Sequence, residues 1–208
     1  MMTDKNIPLL NNSVKEDDAE TIVNFVLGFA KNPLITTSFG AHSAAILSAV
    51  TKVRQDTQVV WCDTGFNTAA THRHAQDLIE ELKLKIEVFK PKIQSAMLQP
   101  ETFMEDGGSL YSDDLARNVK LEPFERAMNK YRPDVWFTTV RKNQTAYRNQ
   151  LDVFSLTNDG ILRVSPFYHY SDDEIKAYLK QHKLPVEYDY FDPLKMNSKG
   201  ECGIQLRS

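Results

Sequence analysis

A cysteine stands six residues before the end of the 208-residue sequence, in the segment Lys199-Gly200-Glu201-Cys202-Gly203. Glycines flank Cys202, and no predicted helix or strand buries its thiol. An exposed thiol near cations ionises and becomes a nucleophile, whereas a thiol buried for packing is inert. Lys199 supplies one nearby positive charge. The pattern therefore identifies Cys202 as a candidate nucleophile, with an incidental tail cysteine as the alternative.

A second group of reactive side chains lies in the segment Arg141-Lys142-Asn143-Gln144-Thr145-Ala146-Tyr147-Arg148, directly after a predicted strand. Arg141 and Arg148 carry planar guanidinium groups that suit bidentate binding of phosphate or sulfate oxygens. A solvated helix face would have a similar sequence, but the position at the end of a strand favours anion binding.

Small and polar residues form the turn Ser38-Phe39-Gly40-Ala41-His42-Ser43, between a predicted strand and a predicted helix. At the start of a helix, free backbone N–H groups and the helix dipole attract phosphate. Ser38 and Ser43 can add hydroxyl donors, and Gly40 lets the backbone approach an anion closely. A serine-capped turn that binds nothing would look the same, so the motif alone leaves both interpretations open.

The turn Asp63-Thr64-Gly65 follows a second predicted strand, at 58–62. In a parallel sheet this turn should lie beside the turn at 38–43, on the same sheet edge. A helix-capping turn is the alternative interpretation. Two neighbouring strand ends with small polar turns would form a floor of nucleotide size, which favours a binding role.

Strands and helices alternate along most of the chain. Apolar, β-type runs predict strands at 34–37, 58–62, 86–89 and 135–139, and a further pair flanks the turn Asn158-Asp159-Gly160. Helical periodicity predicts helices at 68–82, 122–130 and 175–182, the last one capped by Ser171 to Glu174. Repeated strand–helix units indicate an α/β doubly wound fold, with a mostly parallel sheet covered by helices on both faces.

Both ends of the chain and one internal stretch differ from this pattern. A polar arm reaches Asn12, and a capping-box pattern from Ser13 to Glu16 predicts that the first helix follows it. The stretch 99–120 has no clear periodicity and is predicted to be a mobile loop or lid. We therefore expect a nucleotide-binding α/β domain at 1–188 with an N-terminal helical arm, followed by a flexible catalytic tail at 189–208.

Composition narrows the classes of function. The net charge of −3 gives no diffuse positive field for nucleic acid or anionic membranes. The polar N-terminus lacks a secretory pattern, and no apolar run reaches membrane-spanning length, so we expect a cytoplasmic protein. Two cysteines cannot supply the four thiolates of an iron–sulfur cluster or a Cys₄ zinc site. We expect no bound metal or cofactor.

Together these segments resemble the phosphoadenosine phosphosulfate reductase family, within the adenine-nucleotide α-hydrolase-like, PP-loop superfamily. The resemblance covers about residues 34–203. It is carried by Thr37-Ser38-Phe39-Gly40, by Asp63-Thr64-Gly65, by the segment 140–148 and above all by Glu201-Cys202-Gly203-Ile204, since the nucleophilic cysteine of the family lies in such a tail motif.

The resemblance implies a thiol-dependent reduction of 3′-phosphoadenylyl sulfate. Cys202 would attack the sulfur, and thioredoxin or glutaredoxin would release sulfite from the enzyme. The substrate-binding residues implied by the resemblance are Ser38, Phe39, Gly40, Ser43, Asp63, Thr64, Gly65, Arg141, Lys142, Gln144, Arg148 and Lys199. The lack of additional cysteine pairs places the chain in the cluster-free branch, and the resemblance also implies a homodimer.

Two alternatives remain open. One is an ATP-dependent PP-loop transferase or ATP sulfurylase-like subunit. ATP-using relatives carry Ser-Gly-Gly-x-Asp-Ser at the first turn, where this chain has Phe39 and His42 in place of the first Gly and the Asp. The other is a nucleotide-binding protein that has lost catalysis, which the short segment between Asp192 and Glu201 makes plausible.

Overall fold

The computed structural model describes residues 5–92 and 117–190, which form a six-stranded sheet with helices packed on it. Most of the predicted loop or lid at 99–120 lies outside the described residues. The same is true of Lys199 and Cys202. None of the described helices combines the length and the apolar character needed to cross a membrane.

The described elements alternate between helices and strands. In chain order they are α1 Ile7–Ser13, α2 Ala19–Leu27, β1 Pro33–Thr37, α3 Ser43–Val53, β2 Gln58–Cys62, α4 Ala69–Glu81, β3 Ile86–Phe89, a π turn Arg117–Leu121, α5 Glu122–Tyr131, β4 Val135–Phe137, 3₁₀ turns Lys142–Gln144 and Arg148–Gln150, β5 Phe154–Leu156, β6 Leu162–Val164 and α6 Asp172–Gln181.

The sheet has the strand order β3-β2-β1-β4-β6-β5. All neighbouring pairs are parallel except β5 with β6, the antiparallel pair that flanks the turn at 158–160. From β1 the chain runs outward through β2 to β3, and then returns to place β4 on the other side of β1. The direction of strand addition therefore reverses between β1 and β4.

Alternating side chains of the strands fill two hydrophobic cores, one on each face of the sheet. In β1, Ile35 packs into the core that the helices α2, α3, α4 and α6 cover. The adjacent Leu34 packs into the core on the opposite face, together with Phe124 and Met128 of α5. Such strands are apolar on both faces, because helices exclude water from each. The predicted α/β doubly wound architecture is confirmed.

Local capping differs from the prediction at one helix and agrees at another. The capping box predicted at Ser13 is wrong, because the Ser13 hydroxyl instead donates back to the Leu10 carbonyl. Asp18 caps α2 by accepting a hydrogen bond from the Thr21 N–H at 2.7 Å. At α6, Ser171 and Glu174 form the predicted reciprocal capping box.

The helix α1 protects one edge of the sheet, although the sequence predicted a polar arm there. The Asn11 side chain donates from Nδ2 to the Phe154 carbonyl at 3.0 Å, and its Oδ1 accepts from the Phe154 N–H at 2.8 Å. The amide thus pairs with β5 as another strand would. Unpaired edge strands favour aggregation, so this pairing stabilises the edge.

We predict that Asn11→Ala lowers the free energy of unfolding by about 1–2 kcal/mol, because two backbone groups of Phe154 lose their partner. Urea denaturation measures this change. The matched control is Asn12→Ala on the same helix, since Asn12 is exposed and has the same helix propensity. Equal losses in both variants would contradict the pairing role of Asn11.

Candidate functional site

A polar cavity of about 210 Å³ opens at the carboxyl ends of β1 and β4. It is lined by Thr37, Ser38, Gly40, Ala41, His42, Ser43, Thr139, Arg141, Gln144, Arg148 and Tyr190. The lining therefore joins the turn after β1 to the segment after β4. In open α/β sheets, ligands bind where the direction of strand addition reverses, because the connections on either side diverge and leave a crevice. The cavity occupies this position.

The turn after β1 is shaped by a residue in an unusual conformation. Phe39 has a φ of +50°, a left-handed conformation that costs a non-glycine residue roughly 1–2 kcal/mol. Its fully buried ring packs edge-on against Trp61, with 4.9 Å between centroids, and its N–H donates to Thr37 Oγ1. This packing offsets the backbone strain. The Phe39 side chain thus fixes the turn from the core and does not line the cavity.

The same turn presents hydrogen-bond donors to the cavity. Among the described residues, no hydrogen bond engages the backbone N–H groups of Gly40, Ala41 or His42. The buried Ser43 hydroxyl at the start of α3 also has no partner among the described residues. Buried polar groups normally find a partner. These donors, together with the positive end of the α3 dipole, suit an anion.

Arg141 is buried beside the cavity and held by three groups. Its Nη1 donates to the Tyr170 carbonyl at 3.3 Å, and its Nη2 donates to Asp172 Oδ1 at 2.6 Å. Nη2 also lies 3.4 Å from His42 Nδ1. Since arginine is always protonated, the imidazole nitrogen must be the acceptor of this contact. The guanidinium is therefore held by Tyr170 and Asp172 near the start of α6 and by His42 of the turn after β1.

Arg148 reaches the cavity from the next turn of the same segment. Its Nη1 donates to Gln144 Oε1 at 2.5 Å, and the same oxygen accepts from the Arg141 N–H at 2.9 Å. The Tyr168 hydroxyl donates to the Arg148 carbonyl at 2.9 Å. Gln144 thus links the two arginine positions, and Tyr168 anchors the backbone that carries Arg148.

Electrostatics around His42 keep its imidazole neutral near pH 7. Burial is the main cause that lowers the pKa of His42, followed by the charge of Arg141. Asp172 raises this pKa and Lys176 lowers it by smaller amounts. In turn, the hydrogen bond from Arg141 and then its charge lower the pKa of the Asp172 carboxyl. The two lining arginines thus give the cavity its positive charge.

The cavity also contains residues that sequence reasoning did not identify. Tyr190 covers the turn after β1, and its hydroxyl donates to Ser38 Oγ at 3.1 Å. A Cβ added at Gly40 would stand 3.5 Å from the Tyr190 ring, so the ring packs directly on the glycine. Thr139 lines the cavity from the end of β4. No local pattern marks these residues, because their role depends on which strands are neighbours.

Several predicted site residues lie away from the cavity. Asp63 Oδ1 accepts hydrogen bonds from the Gly65 N–H and from Asn67 Nδ2, both at 3.0 Å, and so stabilises its own turn. Thr64 and Gly65 lie in that turn, which is not part of the lining. Lys142 is exposed at the start of a 3₁₀ turn. In the part of the chain that the structure describes, no group of three or more His, Cys, Asp or Glu could hold a metal ion.

Comparison with known proteins identifies relatives over most of the chain. Residues 32–191 match the family model of the phosphoadenosine phosphosulfate reductase domain. The phosphoadenosine 5′-phosphosulfate reductase of Synechococcus sp. is 30% identical over 76% of this chain and 68% of its own length. That of Xanthomonas axonopodis pv. citri is 31% identical over 74% of this chain and 64% of its own length. The chain thus spans about two thirds of each relative.

A solved structure supports the fold assignment. The phosphoadenylyl-sulfate reductase from Candida auris, in a phosphate complex, superposes with a TM-score of 0.75 and covers 90% of both chains. Its sequence is 22% identical, so this likeness shows the shared fold.

We predict that the pH dependence of stability includes His42. Because burial lowers its pKa in the folded protein below the ordinary value of 6.5, the unfolded chain binds the proton more readily. The free energy of unfolding should therefore fall as the pH drops below about 6.5. His42→Gln should reduce the difference in this free energy between about pH 7.5 and about pH 5.5, measured by urea denaturation. His74, whose pKa burial also lowers, should retain part of the effect. An unchanged difference in His42→Gln would exclude this role.

Proposed function

The chain belongs to the phosphoadenosine phosphosulfate reductase family, and on this basis we propose that it reduces 3′-phosphoadenylyl sulfate to sulfite and adenosine 3′,5′-bisphosphate. The observation that carries the proposal is the cavity between β1 and β4. Its lining combines Arg141 and Arg148 with the donors of the turn after β1. The substrate carries negative charge on its 3′-phosphate and its phosphosulfate, and both are groups that such donors bind.

The cavity fits the charged part of the substrate. Its volume of about 210 Å³ is below the roughly 300–1,000 Å³ of pockets that enclose a whole small ligand. We therefore assign it to phosphate or phosphosulfate, with the adenosine extending beyond it. In this arrangement, Arg148 and the Ser43 hydroxyl contact the anion. Gln144 holds the two arginines in place relative to each other, because its side-chain oxygen accepts from both.

The proposed chemistry begins with the Cys202 thiolate. Its sulfur attacks the sulfur of the sulfonate group, so that an S–S bond forms while the bond from sulfur to the bridging oxygen breaks. The electron pair of that bond leaves on the phosphate oxygen of adenosine 3′,5′-bisphosphate. Arginine side chains at the phosphate stabilise the charge that develops there. The role of Cys202 is inferred from its tail motif, since the residue lies outside the described part of the chain.

The second half of the reaction regenerates the enzyme. One thiolate of an external dithiol, thioredoxin or glutaredoxin, attacks Cys202 Sγ and displaces sulfite with its electron pair. The second thiol of the reductant then breaks the mixed disulfide, so the reductant is oxidised and Cys202 returns as a thiol. One enzyme thiol is sufficient for this sequence, and the chain contains only one other cysteine, Cys62.

The proposal also covers the cofactor, the location and the assembly of the enzyme. The enzyme uses no bound iron–sulfur cluster, because two cysteines are too few for the four thiolates of such a cluster. It acts in sulfate assimilation in the cytoplasm, as a homodimer. Residues 1–188 bind the nucleotide, with Tyr190 adding to the lining of the cavity, and the segment 189–208 supplies the nucleophile.

We predict that Cys202→Ser abolishes sulfite release from 3′-phosphoadenylyl sulfate with thioredoxin, while adenosine 3′,5′-bisphosphate still binds. The serine hydroxyl is not ionised near neutral pH and cannot accept the sulfonate. The matched control is Cys62→Ser, which should keep turnover because Cys62 packs partly buried against the core beneath α5. Normal turnover in Cys202→Ser would refute the mechanism.

Incubation with substrate and without reductant gives a direct measure of the intermediate. Wild type and Cys62→Ser should gain the mass of one SO₃ group at Cys202, whereas Cys202→Ser should gain none. Pyrophosphate release from ATP would instead support the ATP-dependent alternative. Nucleotide binding without either reaction would support a catalytically inactive homologue.

We predict that Arg148→Ala weakens binding of adenosine 3′,5′-bisphosphate by about tenfold or more, since a charge-assisted hydrogen bond contributes about 1.5–3 kcal/mol. Calorimetric titration measures the dissociation constant. Lys142→Ala should cause a clearly smaller loss, because Lys142 is exposed and does not line the cavity. An equal or greater loss in Lys142→Ala would show that the anion binds outside the cavity.

A further inference from the structure

Asp172 contacts the binding machinery without lining the cavity. Its Oδ1 lies 2.6 Å from Arg141 Nη2, in an ion pair whose arginine side chain is 8% exposed and whose carboxylate is 72% exposed. Asp172 is the first residue of α6 and is not among the residues that line the cavity. An acidic residue is unexpected next to an anion site, so its place there requires a reason.

The contacts of Arg141 indicate what that reason is. A guanidinium has five N–H donors, and the described contacts use those that point to Tyr170, Asp172 and His42. The Nε–H and one Nη1–H have no partner among the described residues. Asp172 therefore accepts from one of the five donors, and two others remain for an anion in the cavity that Arg141 lines.

The position of Asp172 is itself rigid. The Ser171 hydroxyl accepts from the Glu174 N–H at 3.2 Å, and Glu174 Oε2 accepts from the Ser171 N–H at 2.7 Å. This capping box fixes the backbone on both sides of Asp172. The carboxylate is thus presented to Arg141 from a fixed helix start rather than from a flexible loop.

A free arginine side chain has many rotamers, and a ligand that must order it loses binding free energy. We propose that Asp172 is a positioning residue that holds the Arg141 guanidinium in its anion-binding orientation before the substrate arrives. This inference rests on the proposed function for the identity of the ligand. The negative charge of Asp172 opposes the anion only weakly, because water screens an exposed carboxylate and Arg141 neutralises it.

The chain provides a matched control for this role. Asp173 is the next residue of α6, so both aspartates interact with the same helix dipole. The Asp173 side chain is 98% exposed, and its ion-pair partner is Lys176 at 4.0 Å. Substitution of either residue removes one negative charge from the same helix turn, but only Asp172 contacts Arg141.

The test measures the dissociation constant of adenosine 3′,5′-bisphosphate by calorimetry for Asp172→Ala, Asp172→Asn and Asp173→Ala, each in the wild-type and the Arg141→Ala background. Asp172→Ala should weaken binding about fivefold in the wild-type background. Asp172→Asn should stay within about twofold of the wild type, because its amide oxygen still accepts from Nη2. Asp173→Ala should have no effect. In the Arg141→Ala background, Asp172→Ala should cause no further loss.

The following results would overturn the inference. One is unchanged nucleotide binding in Asp172→Ala, and another is an equal loss of binding in Asp173→Ala. A third is weakened binding in Asp172→Asn to the level of Asp172→Ala, and the last is a full loss from Asp172→Ala in the Arg141→Ala background.

The sulfite assay separates this inference from the proposed function. If the wild type binds the nucleotide but forms no sulfite, the function fails and the binding cycle still decides the role of Asp172. If the wild type binds no nucleotide, the inference fails as well.

Discussion

The parallel pairing of β1 with β4 is the constraint on which the candidate site depends. Pro33 and Ile35 are in register with Val135 and Phe137, so the two strands end side by side at the same edge of the sheet. Trp136 strengthens this junction, since its Nε1–H donates to Thr36 Oγ1 at 2.8 Å. Because β2 and β3 extend away from β1 on the other side, the turns that follow β1 and β4 diverge. The cavity fills the resulting crevice.

The segment from the end of β6 to the start of α6 contacts both arginines of the site. Tyr168 holds the backbone of Arg148, and the Tyr170 carbonyl and Asp172 hold the guanidinium of Arg141. Removing two cations from water costs free energy unless partners compensate the charge and the N–H donors. Both arginines line the cavity, so their positive charge borders it.

The strands and part of the site could be predicted from the sequence, because they leave local patterns in it. Apolar runs such as 58–62 are buried on both faces, which makes them recognisable, and a serine-rich or arginine-rich turn after a strand is a local pattern. The turn Asp63-Thr64-Gly65 was correctly expected beside the turn after β1, because β2 pairs with β1. The crevice nevertheless opens on the β4 side, and this depends on strand order, which no local pattern records. The contacts of Tyr190 and Asp172 likewise join residues far apart in the chain.

The central claim is that the cavity between β1 and β4 binds the phosphate groups of the nucleotide. A crystal structure with adenosine 3′,5′-bisphosphate tests it most directly. The account predicts a phosphate within hydrogen-bond distance of an Arg148 guanidinium nitrogen and of Ser43 Oγ, with the Arg141–Asp172 ion pair intact. A nucleotide whose phosphates lie outside this cavity, or one that separates Arg141 from Asp172, would contradict it.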